Sequence, residues 1–255
     1  MNSVNRTLYI PLAGKAYVSK RGIILCDPKA EEIWELEGFP LKGKSKSKWL
    51  AYYMGMRAAV FDRWVQAQLD ADPTAVVMHI GCGLDSRCQR VDHPQRMWFD
   101  LDFPEVLTER KRYYREDDHY QMIAGDLADP CWLDQLPGGN VIVILEGVSM
   151  YLPPEKLKQA LEQIMAHFET VHLLMDCYTT FAAKASQYRN PINDVGVTQV
   201  YGTDDPCFFD GFVREHDMTP EDLVASLPGM ERIIFQTLYA GRIATKMYRL
   251  YEYRK

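Results

Sequence analysis

Four places in this chain bring a glycine or a carboxylate to the point where an apolar run stops. Val76–Ile80 leads into Gly81-Cys82-Gly83-Leu84-Asp85-Ser86-Arg87, and Met97–Leu101 ends within Asp100-Leu101-Asp102. Tyr120–Ala124 leads into Gly125-Asp126-Leu127, and Val141–Leu145 into Glu146-Gly147. Glycines at a strand's end let the backbone turn sharply and let a ligand approach closely. Strand alternation places Asp100 and Asp102 on one side, where a carboxylate can accept two hydrogen bonds from a ribose diol. They lie about 20 residues beyond Gly81, a spacing that suits a nicotinamide or an adenosyl cofactor alike. The dinucleotide fingerprint has a third glycine where this chain has Ser86. Any one of these features is an ordinary turn or helix cap. Four along one edge indicate a cofactor cleft.

The elements that position them follow from the same runs. The apolar stretches begin at Val76, Met97, Tyr120, Val141 and Val171, with amphipathic stretches between them. Continuous Val, Ile and Leu runs read as strands buried on both faces, and the spacing leaves room for crossover helices. Pro104 opens a helix expected to reach Glu116, and Pro153-Pro154 one to Phe168, because proline is tolerated in a first helical turn. The result is an open, largely parallel α/β sheet whose ligands bind beyond the carboxyl ends of its strands. Before it, residues 1–74 carry helical signals at Asp27–Leu36 and Ser47–Leu69, and form an expected N-terminal cap. The catalytic domain is expected over 75–255. After the fifth strand, about 178–218 is rich in aromatics, Gly and Pro, and reads as a lid insertion. A helix is expected at Thr219–Leu227. The alternating runs Arg232–Tyr239 and Lys246–Tyr253, with Ala240-Gly241-Arg242 between, read as an antiparallel hairpin closing the sheet.

Composition bounds the function. The chain has 255 residues, 47% hydrophobic and 25% charged, which excludes a disordered or collagen-like protein. A net charge of −6 argues against nucleic acid as a partner. The six cysteines show no CxxC pair and no histidine at zinc-ligand spacing, so no metal site is expected. Met1–Arg6 is polar, without the apolar core of a secretory signal, and no stretch approaches the length of a membrane span. The expectation is a cytoplasmic protein with reduced thiols.

The motifs, in order, resemble a known family. His79-Ile80-Gly81-Cys82-Gly83-Leu84-Asp85-Ser86-Arg87 is similar to the LGAGLDTR-type motif of the leucine carboxyl methyltransferase family, which includes tetracenomycin-type polyketide carboxyl O-methyltransferases. Phe99 to Val106 resembles its E-x-D-x-P-x-V motif, and Gly125-Asp126-Leu127 and Glu146 to Leu152 resemble two more. Asp27-Pro28-Lys29-Ala30 and Met56-Arg57-Ala58 fall where that family has a D-P-x-A element and an arginine-centred helix. The resemblance spans roughly 15–180. It implies a class I S-adenosylmethionine-dependent methyltransferase with a Rossmann-like sheet. It also implies cofactor-binding roles. Gly81, with Gly83, lets the backbone approach the methionine part, and Asp102 holds the ribose. Asp126 and Leu127 address the adenine, Arg57 pairs with the cofactor carboxylate, and Glu146 contacts the amino-acid end, with Lys15 assisting. Cys82, Ser86 and Ala58 depart from the common alanine, threonine and threonine, without removing a charge.

Methyl transfer from a sulfonium is an in-line displacement that needs positioning and exclusion of water. A carboxylate acceptor is already ionised near neutrality, whereas a phenol or alcohol needs a base. Among the six histidines, His79 and His172 fall within expected strands and read as core. His216, late in the insertion, is the candidate for a base. Tyr188, Arg189 and Tyr201 on the insertion are candidates to hold an anionic substrate. The reading is an O-methyltransferase acting on a carboxylate of a polyketide-like small molecule or a protein terminus. The alternatives are a nicotinamide-dependent oxidoreductase and a non-catalytic S-adenosylmethionine-binding protein.

Overall fold

The computed structural model describes residues 5–39, 43–92, 95–189 and 199–255. Seven strands form one sheet in the order β3-β2-β1-β4-β5-β7-β6. The first five, β1 (Val76–Ile80), β2 (Trp98–Asp102), β3 (Tyr120–Ala124), β4 (Asn140–Leu145) and β5 (Thr170–Tyr178), run parallel. The order reverses between β1 and β4, and such a switch point opens a crevice at the carboxyl edge. Alternation divides the strands between two cores. Val77, Trp98, Ile142 and Leu174 face the N-terminal helices, while Met78, Phe99, Val143 and Leu173 face α6 (Pro154–His167).

Among the described residues, three α-helices precede the sheet: α1 (Tyr9–Lys20), α2 (Pro28–Glu37) and α3 (Lys48–Ala71). α2 shows why the sequence stops and starts where it does. The Asp27 side chain accepts the Ala30 amide at 2.9 Å, Pro28 fills the first turn, and Gly38 ends the helix with a left-handed φ of 57°. α1 packs against α2 and α3, and α3 lies on the sheet beside β4. Two short helices, α4 (Arg87–Arg90) and α5 (Pro104–Arg110), follow β1 and β2. α5 stops at Arg110, short of the expected Glu116, and the chain turns at Lys111 to Tyr113.

The carboxyl-terminal third departs from expectation. The edge pair is antiparallel, but its first arm is β6 (Phe212–His216) and its second is β7 (Tyr248–Arg254), which also pairs with β5. Arg232–Tyr239 is not a strand. It belongs to α9 (Gly229–Leu238), in which Phe235 is buried while Met230, Ile233 and Leu238 face solvent. A helix shows one buried face every three to four residues, and this run buries a single residue. α8 (Glu221–Ala225) sits within the expected helix. The expected insertion opens with α7 (Thr180–Arg189), continues through 190–198, which lie outside the described residues, and ends in β6, a strand of the sheet itself. No helix among the described residues is long and apolar enough to cross a membrane.

Candidate functional site

The turn after β1 has little freedom. Gly81 adopts φ +67°, and a Cβ there would stand 2.3 Å from Val148 Cγ2, so only glycine fits. Gly83, at φ +52°, donates its amide to Asp102 Oδ2 at 2.7 Å, and the Phe103 amide donates to Asp102 Oδ1 at 2.8 Å. Burial nonetheless pushes the Asp102 carboxyl above its ordinary value, those amides opposing it. Asp100 shares its side of the strand but not its role. It is wholly buried and accepts from Arg110, from the Tyr120 hydroxyl at 2.6 Å and from Trp98 Nε1 at 2.9 Å. Only Asp102 reaches the cleft.

Beside this turn lies a buried network of opposite charges. Arg57, from α3, donates to Glu146 Oε1 at 3.0 Å and to Asp176 Oδ2 at 2.8 Å. Arg87 donates to Glu146 Oε2 and to Asp62 Oδ1, the latter at 2.6 Å. Lys15, from α1, pairs with Asp85, which also meets Arg90 at 3.1 Å. Burial alone would raise the Glu146 carboxyl. Arg87 and Arg57 outweigh it and hold the group at about 2. Asp85 is held well below the usual range for the same reason, with Arg90, Lys15 and Arg87 overcoming its burial. Asp176 also accepts the Gly147 amide at 2.6 Å, tying β5 to the loop after β4.

Of these residues, Lys15, Arg57, Gly81, Gly83, Asp85, Asp102, Glu146 and Gly147 line one cavity of about 880 Å³ along the carboxyl edge. Arg57, Gly81, Gly83, Asp102, Asp126, Leu127, Glu146 and Lys15 all reach its wall, so the expected cofactor residues come together. Asp126 is exposed at one end, where its Oδ1 accepts the Ala128 amide at 2.9 Å, and Leu127 is buried beside it. The other end is walled by aromatic side chains. Trp49 and Tyr239 stack at 5.2 Å between ring centroids, Tyr53 donates its hydroxyl to the Tyr239 carbonyl, and Tyr178 and Tyr248 meet edge to face at 4.6 Å.

The substrate candidates fare differently. Tyr188 and Arg189 fall at the end of α7, and their side chains lie outside the described residues. Tyr201 is half-buried, takes Gln199 Nε2 on its hydroxyl at 2.8 Å, and is not on the wall of the large cavity. His216 is on the edge strand, where its Nε2 meets Glu252 at 2.6 Å. Burial would raise Glu252, but hydrogen bonds from His216 and Arg214 hold it at about 2, and His216 is not on the wall of the large cavity. His79 does reach the cavity wall, which the sequence reading did not foresee. It is buried, with Nδ1 3.5 Å from Asp100 and Nε2 3.4 Å from Arg87. Register explains it, since His79 lies directly opposite Asp100. Asp176, Arg87 and the aromatic wall were not foreseen as site residues. Arg87 stood inside the glycine-rich motif, which could have flagged it.

Comparison with known proteins shows the family and the fold. Residues 13–165 match the family described as leucine carboxyl methyltransferase. The chain is 29% identical over 209 residues to the tetracenomycin polyketide synthesis O-methyltransferase of Streptomyces glaucescens, covering 81% of this chain and 77% of that protein. Its fold is similar to a crystal structure of a Thermobifida fusca protein provisionally named a methyltransferase, with a TM-score of 0.60, 14% identity and coverage of 95% and 94%. It is also similar to the magnesium protoporphyrin IX methyltransferase of Synechocystis with bound S-adenosylhomocysteine, with a TM-score of 0.51, 14% identity and coverage of 89% and 93%.

Proposed function

We propose, from the premise that this chain belongs to the leucine carboxyl methyltransferase family, that it converts a carboxylate of a small aromatic molecule into its methyl ester. The chain is an S-adenosylmethionine-dependent methyltransferase, and the nicotinamide alternative falls with that assignment. The cofactor supplies a methyl group on a sulfonium, which an oxygen lone pair displaces in line.

The residues fit that cofactor. A cavity of about 880 Å³ is ample for it together with an acceptor. The turn at Gly81 has no room for a side chain, and Asp102 keeps lone pairs for ribose hydroxyls beyond its two amides. Asp126 and Leu127 would receive the adenine at the exposed end. Arg57, Glu146 and Lys15 would hold the charged amino-acid end, drawing on the buried network around them. Because that network is already formed, its dipoles need little rearrangement to receive a zwitterion.

One observation carries the carboxylate reading. Two charged pairs on the cavity wall are committed internally, Lys15 to Asp85 and Arg57 to Glu146, and the wall's buried His79 stands 3.5 Å from Asp100 and 3.4 Å from Arg87. An acceptor that is ionised on arrival suits such a wall, since nothing need take its proton. The aromatic end supports a flat apolar body behind the reacting group.

The test is the product. Aromatic carboxylic acids incubated with S-adenosylmethionine carrying a labelled methyl should give an ester that releases labelled methanol in mild base. The rate should show no essential base titrating between about pH 6 and 8. A base-stable methyl ether from a phenol would replace the carboxylate with a hydroxyl acceptor.

A further inference from the structure

Tyr178 and Tyr248 stand directly opposite each other where the carboxyl end of β5 meets the start of β7. Opposed residues in a strand pair share a face, and both reach the cavity wall. Their rings meet edge to face, with centroids 4.6 Å apart. The backbone beneath them is pinned, with Thr179 donating its amide to the Met247 carbonyl at 3.2 Å and its hydroxyl to the Lys246 carbonyl at 2.6 Å.

Their place in the cavity is set by Asp176. It lies two residues before Tyr178, on the same face and one strand step of about 7 Å away. Asp176 holds Arg57, whose guanidinium also lies 5.9 Å from the centre of the Tyr248 ring. On the far side, Ala182, Ala185 and Tyr53 carry the wall into its apolar end. The tyrosine pair thus stands between the charged network and the aromatic chamber.

We propose that Tyr178, supported by Tyr248, orients the acceptor carboxylate by donating a hydrogen bond to the oxygen that is not methylated. This rests on the carboxylate reading above. Burial keeps the Tyr248 hydroxyl protonated far beyond the ordinary tyrosine range, so it acts as a donor and not as a base. Held on two pinned strands, the pair fixes the direction from which an anion must approach. Both tyrosines are positioning residues. The transferred methyl leaves sulfur and joins the other carboxylate oxygen, and neither hydroxyl loses its proton.

Calorimetry on protein saturated with S-adenosylhomocysteine tests this, with naphthalene carboxylate and naphthol as probes. The wild type should bind the carboxylate. Tyr178→Phe should weaken that binding at least about tenfold, as expected for one hydrogen bond to a charged group, and Tyr248→Phe by less. Affinities for S-adenosylhomocysteine and for naphthol should stay within about twofold in both variants, an outcome that a merely structural role would not give. Equal carboxylate affinity in wild type and Tyr178→Phe overturns the proposal and leaves the carboxylate reading standing. Wild-type binding of naphthol but not the carboxylate overturns both. Binding of neither probe overturns the proposal, since the chamber would then not hold an aromatic anion.

Discussion

Replacing Glu146 with glutamine puts the buried charge network to a quantitative test. Glu146 joins Arg57 to Arg87, and all three side chains are almost wholly buried. Burial favours its neutral form, yet Arg87 and Arg57 bring its carboxyl from the ordinary 4.5 to about 2. A group shifted that far on folding ties about 3 kcal/mol of stability to its ionised state. The folded value is the lower one. That stability is therefore full above about pH 4.5 and is lost as the pH falls toward 2. Glu146→Gln should lower the unfolding free energy by about 3 kcal/mol at pH 7, or roughly 6–12 °C in Tm for a domain of this size. By pH 3 the gap should shrink to less than about half, because the wild type is then losing the same charge. Denaturant unfolding of both proteins at pH 7 and at pH 3 measures it. A gap below about 1 kcal/mol at pH 7, or one that does not narrow at pH 3, would refute the picture of Glu146 as the hinge of the network.

The two acids of β2 should separate cleanly. Asp102→Ala should weaken S-adenosylhomocysteine binding at least about tenfold in calorimetry with the fold retained, since hydrogen bonds to a carboxylate are worth about 1.5–3 kcal/mol each. Asp100→Ala should instead cost about 3–5 kcal/mol of stability in denaturant unfolding, because it strands the buried Arg110. Gly81→Ala should abolish S-adenosylhomocysteine binding in the same calorimetry, because its Cβ would meet Val148 at 2.3 Å in a left-handed turn.

Much of this architecture was legible in the residues. Val76–Ile80 and Tyr120–Ala124 are strands as expected, because short, mostly apolar runs between turn signals have few other solutions. Gly81, Gly83, Asp102, Asp126, Leu127 and Glu146 could be singled out because each falls where a strand stops, and they share one cavity wall with Arg57, which comes from α3. Arg232–Tyr239 misled because its Ile233, Phe235 and Thr237 alternate with other bulky residues, mimicking a period of two, while the buried face is Phe235 alone. β6 was missed because an edge strand carrying Arg214 and Glu215 outward lacks an apolar run. The charge network lay beyond reach for another reason. Lys15 meets Asp85 across 70 residues and Arg57 meets Asp176 across 119, and pairings of that range leave no local pattern. The aromatic chamber is harder still, since Trp49, Tyr178 and Tyr239 come from three separate parts of the chain.

The position of β7 has a consequence for how the protein is made. β6 is synthesised before β7 and, within the sheet, pairs only with it, while β7 also covers the open side of β5. A growing chain can therefore lay down β1 to β5 in sequence, but β6 waits unpartnered and β5 presents a bare edge until β7 arrives. Bare edges recruit other chains, so this interval is the vulnerable one for a crowded ribosome and a natural point of chaperone dependence. It also divides the site by age. In the proposed assignment, Gly81, Asp102 and Glu146, which would hold the donor, are in place early, whereas Tyr248, which would face the acceptor, is the first residue of the strand that zips in between. On that assignment, a nascent chain acquires the means to hold its donor well before the means to choose what receives the methyl.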